Sequence, residues 1–103
     1  MSGFALHPEA YDDIDEIRAY IAEDSPEAAD RMVNEIFDRL RQITRFPDQG
    51  FRRSHFVSPS LRFVTVRDYL IAYAPETNPL WVVAVIHGRR SPRVIAAILR
   101  GRE

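Results

Sequence analysis

The sequence predicts an α+β fold in which helices pack on one face of an antiparallel sheet. Three observations lead to this prediction. Apolar residues recur at helical spacing in the first half, three short β-branched and aromatic runs occupy the second half, and prolines separate these segments. The 103 residues suffice for one domain and are too few for two. We therefore assign residues 1–103 to a single domain with the element order β-α-α-β-β-β-α.

A helical hairpin is predicted between residues 8 and 46. The first helix starts at Pro8, and one face carries its apolar residues, namely Ala10, Ile14, Ile17 and Ile21. Ser25 is a suitable cap for the second helix, with Pro26 in its first position and an apolar stripe from Met32 to Ile43. The opposite face of the second helix predicts a ladder of weak ion pairs among Glu27, Arg31, Glu35 and Arg39.

Three strands are predicted after Gly50, at residues 61–66, 69–74 and 80–87. Because only two and five residues link them, the strands must run antiparallel as a meander. Residues 4–6 supply a short N-terminal strand, so the expected sheet is antiparallel with three to four strands. Ser91 and Pro92 open a short C-terminal helix with an apolar stripe of Val94, Ile95, Ile98 and Leu99.

Aromatic residues at a period of two mark the faces of these strands. Tyr69 and Tyr73 should share one face with Ile71, and a second set should share a face of the last strand, namely Trp81, Val83 and Val85. Such aromatics can stack on nucleic-acid bases. They more often pack against covering helices, and we expect that arrangement here.

The composition excludes several kinds of site. Without cysteine the chain forms no disulfide, no Cys-ligated metal site and no thiol nucleophile. The acidic cluster of the first helix lacks a ligand-spaced His or a Gly-bearing loop, so we expect a solvated face with neither metal nor cofactor. No apolar run approaches the length of a membrane span, and the N-terminus lacks a basic segment followed by an apolar stretch. We expect a cytoplasmic protein that does not bind membranes.

The charge is divided unequally between the two halves. Residues 1–50 hold twelve acids and five arginines, a net charge of -7, whereas residues 51–103 hold three acids and nine arginines, a net charge of +6. All fourteen basic residues are arginines, whose planar fork suits phosphate or carboxylate. If the fold gathers several of the nine, they form a surface for nucleic acid or for an acidic partner segment; if they are scattered, they provide only solubility.

The order of the elements and the residues within them resemble the RelE/ParE toxin superfamily, most closely its ParE branch. The resemblance covers nearly the whole chain and rests on the combined order and spacing of five short motifs. These are Leu6-His7-Pro8-Glu9-Ala10, Arg45-Phe46-Pro47, Gly50-Phe51-Arg52-Arg53, Leu70-Ile71-Ala72-Tyr73 and Ile86-His87-Gly88-Arg89-Arg90.

The resemblance implies the toxin component of a bacterial type II toxin–antitoxin system. Such toxins arrest growth when free and are neutralised by a cognate antitoxin that lays a helix or an extended segment across them. ParE-like members are associated with poisoning DNA gyrase, whereas RelE-like members cut mRNA on the ribosome. An inactive binding module of the same fold is a third alternative, and the fold alone does not choose among them.

Cleavage of RNA without a metal needs a proton acceptor, a cation beside the phosphate and a proton donor. The candidate catalytic residues for this alternative are His87, Arg62, Arg89 and Arg90. The chain departs from the ribonuclease pattern in two respects: Ser91-Pro92-Arg93 stands where a Tyr or a further His is usual, and lysine is absent. We therefore expect a toxin that acts by binding.

Two groups of residues are candidates for binding partners. Three arginines around the predicted end of the sheet are the candidate target-binding residues, namely Arg89, Arg90 and Arg93. A domain of this size buries only part of its apolar surface, so some should remain for an antitoxin. The candidate antitoxin-binding residues are the terminal stripe, namely Val94, Ile95, Ile98 and Leu99.

Overall fold

A computed structural model describes residues 3–52 and 60–102. Its four strands are β1 (Phe4–Leu6), β2 (Arg62–Val66), β3 (Tyr69–Ala74) and β4 (Leu80–His87). Its three α-helices are α1 (Pro8–Ala22), α2 (Pro26–Arg45) and α3 (Pro92–Gly101). The α+β fold class and the predicted order of elements are confirmed.

Each α-helix begins at a proline that follows a capping side chain. His7 Nδ1 accepts a hydrogen bond from Glu9 N at 3.0 Å at the start of α1. The hydroxyls of Ser25 and Ser91 accept from the third residue after them, at 3.1 and 3.2 Å. The first backbone N–H groups of a helix have no partner within the helix. Proline has no N–H, and the capping side chain accepts from another of these groups, so the capping residue and the proline together set the start of each helix.

The sheet has the order β1-β4-β3-β2. Strands β2, β3 and β4 form the predicted antiparallel meander. Strand β1 instead pairs parallel with β4, from Phe4 opposite Leu80 to Leu6 opposite Val82. The expectation of a wholly antiparallel sheet was therefore wrong at β1. No short turn joins β1 to β4, since the helical hairpin and two strands separate them, and so turn geometry does not impose an antiparallel pairing.

The two faces of the sheet have separate apolar layers. Helices α1 and α2 cover one face with Ile14, Ile36 and Leu40, while α3 covers the other with Ile95 and Leu99. The prediction that the helices lie on one face was therefore wrong for α3, whose apolar stripe covers the face that the hairpin leaves open. No helix within the described ranges is long and apolar enough to cross a membrane.

A β-bulge in β4 changes which face its residues occupy. Ala72 pairs with Ala84 and Tyr73 pairs with Val82, so Val83 has no partner on β3. The extra residue interrupts the alternation of side chains between the two faces of the sheet. Val83 therefore packs in the α3 layer, whereas Val85 packs in the α1/α2 layer. The prediction that Val83 and Val85 share a face was therefore wrong. On β3, where the pairing is regular through Ala72, Ile71 and Tyr73 do face the helical hairpin as predicted.

Candidate functional site

The turn between β2 and β3 and the carboxyl end of β4 lie at the same end of the sheet. Tyr69 stands opposite His87 in the ladder, and Gly88 N donates to the Asp68 carbonyl at 2.8 Å. Four arginines therefore surround this end, which we call the basic end: Arg67 in the β2–β3 turn, Arg89 and Arg90 after β4, and Arg93 in the first turn of α3.

His87 is held by its own backbone neighbours. Its Nδ1 accepts a hydrogen bond from Arg89 N at 3.1 Å, and its ring meets Tyr69 edge to face at 5.2 Å between centroids. Nδ1 is therefore engaged with the backbone of the turn that follows β4, and Nε2 is the ring nitrogen left for a partner.

Tyr69 is a residue of this end that sequence reasoning did not assign to the site. Burial raises the pKa of its hydroxyl above the ordinary tyrosine value, and the nearby Tyr20 and Asp68 act in the same direction. The phenol is therefore neutral near pH 7 and does not replace His87 as a base. Its closeness to His87 follows from the β3–β4 register, which is not visible in a local motif.

Arg62 lies at the opposite end of the sheet. It pairs with Tyr73 in the ladder, four residues along β3 from the partner of His87, a separation of about 13 Å at strand spacing. Its Nη1 donates to the carbonyls of Gly50 at 2.7 Å and Asp48 at 3.3 Å. The predicted grouping of Arg62 with His87 is therefore not formed, and Arg62 instead holds the segment that follows α2.

Three arginines of the basic end are available to a partner. Arg89, Arg90 and Arg93 are exposed, and in the part of the chain that the structure describes none of them pairs with a carboxylate. Backbone constraints hold the turn that bears them, since Arg90 N also donates to the His87 carbonyl at 3.2 Å. These three cations are therefore exposed on an ordered turn.

Arg67 is engaged with α2. Its guanidinium donates to both carboxylate oxygens of Glu35, at 2.8 and 2.9 Å, and this hydrogen bonding lowers the pKa of Glu35. Through this ion pair Glu35 binds the β2–β3 turn. Arg39 has a different partner, since its guanidinium donates to the Gln42 side chain at 2.6 Å. No ion pair of the ladder predicted along α2 forms among the described residues, since Glu35 and Arg39 have partners outside the ladder.

The nine arginines of the C-terminal half therefore do not form one patch. Arg62 binds backbone carbonyls, and Arg102 is bonded to Asp13. Arg53 lies outside the described residues. Among the others, the fold brings together only the four arginines of the basic end, and one of them, Arg67, is bound to Glu35.

A groove of about 570 Å³ runs between α1 and the carboxyl end of β4. Apolar side chains of all three helices form much of its wall, namely Ile17, Tyr20, Ile21, Met32 and Ile98. Charged and polar side chains of both signs line the rest of it, namely Arg67, Arg90, His87, Asp13, Glu16 and Asp68. The groove therefore offers apolar area bordered by both positive and negative charge, which suits an amphipathic segment.

The terminal stripe is only partly accessible. Ile95 and Leu99 are 2% and 0% exposed, because they form the layer between α3 and the sheet. Val94 is 42% exposed, and Ile98 is partly buried and lines the groove. Of the four residues predicted to bind the antitoxin, only Val94 and Ile98 offer surface to a partner in this structure.

The acidic cluster of α1 is not uniformly solvated. Asp12, Asp15 and Glu16 are exposed, but Asp13 is largely buried and bonds Arg102 and the backbone of β4. In residues 3–52 and 60–102, no group of three or more His, Asp or Glu side chains is placed to hold a metal ion.

Comparisons with known proteins identify the family. The family model described as "ParE toxin of type II toxin-antitoxin system, parDE" matches residues 4–92. A solved structure described as "Chromosomal ParDE TA system from P. aeruginosa" is similar at a TM-score of 0.69 and 19% identity, covering 84% of this chain and 96% of that chain. No curated protein matches. The family match extends over most of the chain and includes the residues of the basic end up to Pro92, so the protein belongs to the ParE toxin family of type II toxin–antitoxin systems.

Proposed function

We propose that this chain arrests bacterial growth by binding DNA gyrase and that a cognate antitoxin neutralises it. Membership of the ParE family supports a toxin. The observation that carries the mode of action is the set of three exposed arginines, Arg89, Arg90 and Arg93, on the turn that joins β4 to α3. Arginine forks make charge-assisted contacts with carboxylate or phosphate without any chemical step, which fits a binding toxin.

The alternative, ribosome-dependent cleavage of mRNA, requires proton transfer at the same end of the sheet. His87 Nδ1 is occupied by Arg89 N, and the raised pKa of Tyr69 keeps its phenol neutral. Arg62 is engaged at the other end of the sheet. This arrangement favours binding over general acid–base chemistry.

The first experiment measures the two activities side by side. Purified protein should inhibit supercoiling by DNA gyrase and leave ribosome-bound mRNA intact, since the exposed arginines can form contacts whereas His87 Nδ1 is engaged in its own turn. Antitoxin added beforehand is the control and should restore supercoiling. Cuts in ribosome-bound mRNA at codon positions would establish the ribonuclease alternative. If neither activity occurs, and soluble expression in bacteria leaves growth normal, the chain is an inactive binding module.

We further propose that the antitoxin occupies the groove between α1 and β4. Tyr20 is 73% exposed and lines this groove, an unusual exposure for a large aromatic side chain. An amphipathic segment there would cover Tyr20 and Ile98 and place acidic groups near Arg90. Antitoxin and target would then meet adjacent surfaces of the basic end, so that one excludes the other.

Antitoxin binding should stabilise the fold in proportion to its affinity. At a free concentration of about 100 times its dissociation constant, it should raise the free energy of unfolding by roughly 2.7 kcal/mol, measured as a higher melting temperature. Tyr20→Glu should reduce this gain, because a carboxylate there opposes burial in the groove. Tyr11→Glu is the matched control, since Tyr11 is also exposed on α1 but does not line the groove. Equal losses in the two variants would place the antitoxin elsewhere.

A further inference from the structure

Strand β1 covers only the first part of β4. Its three residues pair with Leu80, Trp81 and Val82, whereas β4 continues to His87. Beyond Val82 this edge of the sheet has no strand beside it among the described residues. Backbone groups at such an edge need partners, because an unsatisfied polar group near the protein interior is costly.

Two side chains supply those partners. Asp13 Oδ2 accepts a hydrogen bond from Val85 N at 3.0 Å, and Arg102 Nη1 donates to the Val83 carbonyl at 3.1 Å. Nη1 and Nη2 of Arg102 also donate to the two carboxylate oxygens of Asp13, at 2.6 and 2.9 Å. A carboxylate and a guanidinium thus make the acceptor and donor contacts that a longer β1 would make.

The pair also joins the two layers that cover the sheet. Asp13 belongs to α1, which lies on one face, and Arg102 caps the end of α3, which lies on the other. The side chains are only 14% and 10% exposed, so water screens the interaction weakly. The hydrogen bond from Arg102 to Asp13 raises the pKa of the guanidinium above its ordinary value. Glu9 adds a second carboxylate 4.0 Å from Arg102 Nε.

We propose that Asp13 and Arg102 act as a clamp across the β4 edge that fixes the carboxyl end of α3 against α1 and β4. The buried contacts of α3 with the sheet are made by Ile95, Ala96 and Leu99, and the clamp attaches its carboxyl end. Without Asp13 the largely buried guanidinium keeps only the more distant carboxylate of Glu9, and it regains hydration if the end of α3 moves outward. The clamp does not rest on the proposed function.

The absence of cysteine makes a direct test straightforward. Glu16→Cys and Arg100→Cys place one spin label on α1 and one on α3, at two exposed positions. Adding Asp13→Asn should broaden the distance distribution between the labels and lengthen its mean. Asp15→Asn is the matched control, because Asp15 lies on the same helix and is exposed, and it should leave the distribution unchanged. An unchanged distribution in Asp13→Asn would overturn the proposal.

Amide hydrogen exchange separates a clamp from a general contribution to stability. In Asp13→Asn the Val85 amide should exchange about tenfold faster, because a neutral acceptor replaces a charged one, while the Ala72 amide in the centre of the sheet keeps its rate. Equal acceleration at both amides would show that the pair only stabilises the whole fold, and would overturn the proposal. Arg102→Lys retains the charge with fewer hydrogen bonds and should give an intermediate Val85 rate, even if Asp13→Asn folds poorly. Neither measurement involves gyrase, so a failed gyrase assay leaves the test of the clamp intact.

Discussion

Replacing Gly50 by alanine is expected to destabilise the protein by about 3 kcal/mol or more, at or above the upper end of the usual cost of overpacking a buried site. A Cβ atom on Gly50 would collide with the Tyr73 hydroxyl and would lie 2.8 Å from the Phe63 carbonyl oxygen. Since neither neighbour is a free side-chain end, the collision cannot be relieved locally.

Tyr73 cannot move away from the added Cβ atom, because its hydroxyl both donates and accepts a hydrogen bond. The hydroxyl donates to the Pro47 carbonyl at 2.7 Å and accepts from Gly50 N at 3.0 Å, and the side chain is fully buried. The Phe63 carbonyl is likewise fixed, since it accepts from Phe51 N at 2.8 Å. These bonds attach the segment after α2 to the sheet, so the collision should loosen both.

Chemical denaturation of Gly50→Ala measures this loss. Gly101→Ala is the matched control, because a Cβ there meets no atom within 4 Å, and alanine in this helical position should stabilise by up to about 1 kcal/mol. Adding Tyr73→Phe to Gly50→Ala should recover only part of the loss, because the Phe63 carbonyl remains in the way. A Gly50→Ala variant as stable as the wild type would disprove the steric argument.

The combined variant Arg89→Ala, Arg90→Ala is expected to lose growth arrest. A hydrogen bond to a charged group contributes about 1.5 to 3 kcal/mol, so two together should weaken gyrase binding by roughly 10² to 10⁴-fold. Both side chains are exposed and bind no carboxylate within the described ranges, so the fold should keep its stability. Growth of cells expressing the variant and its inhibition of purified gyrase provide the measurement.

Two single variants make this result specific. Arg100→Ala removes an exposed arginine near the other end of α3 and should leave toxicity unchanged. His87→Ala should have a mild effect, because a binding toxin performs no proton transfer there. A ribonuclease would instead lose about 10²-fold or more of its cleavage rate in His87→Ala. That outcome, together with tolerance of the arginine changes, would replace the gyrase proposal.

Features that depend on residues close together in the chain could be predicted before the fold was known. Ser25 with Pro26 and Ser91 with Pro92 place the starts of α2 and α3, because a cap bonds only a few residues ahead. The Arg67-Asp68 link makes β2 and β3 antiparallel, because two residues cannot cross the sheet. The motifs around these elements were also sufficient to identify the family.

Contacts between residues far apart in the chain could not be predicted from local patterns. The parallel pairing of β1, the bulge at Val83 and the burial of Ile95 and Leu99 each depend on how whole elements stack, which no local pattern encodes. In the sequence Arg62 and Arg89 are equivalent as positive charges, but the strand register places Arg62 at the other end of the sheet. In the sequence Asp13 is one of several neighbouring acidic residues, and only the fold shows that it binds Arg102, 89 residues away. Local interactions act over a few residues, whereas packing and register couple the whole chain, and the site is built from the latter.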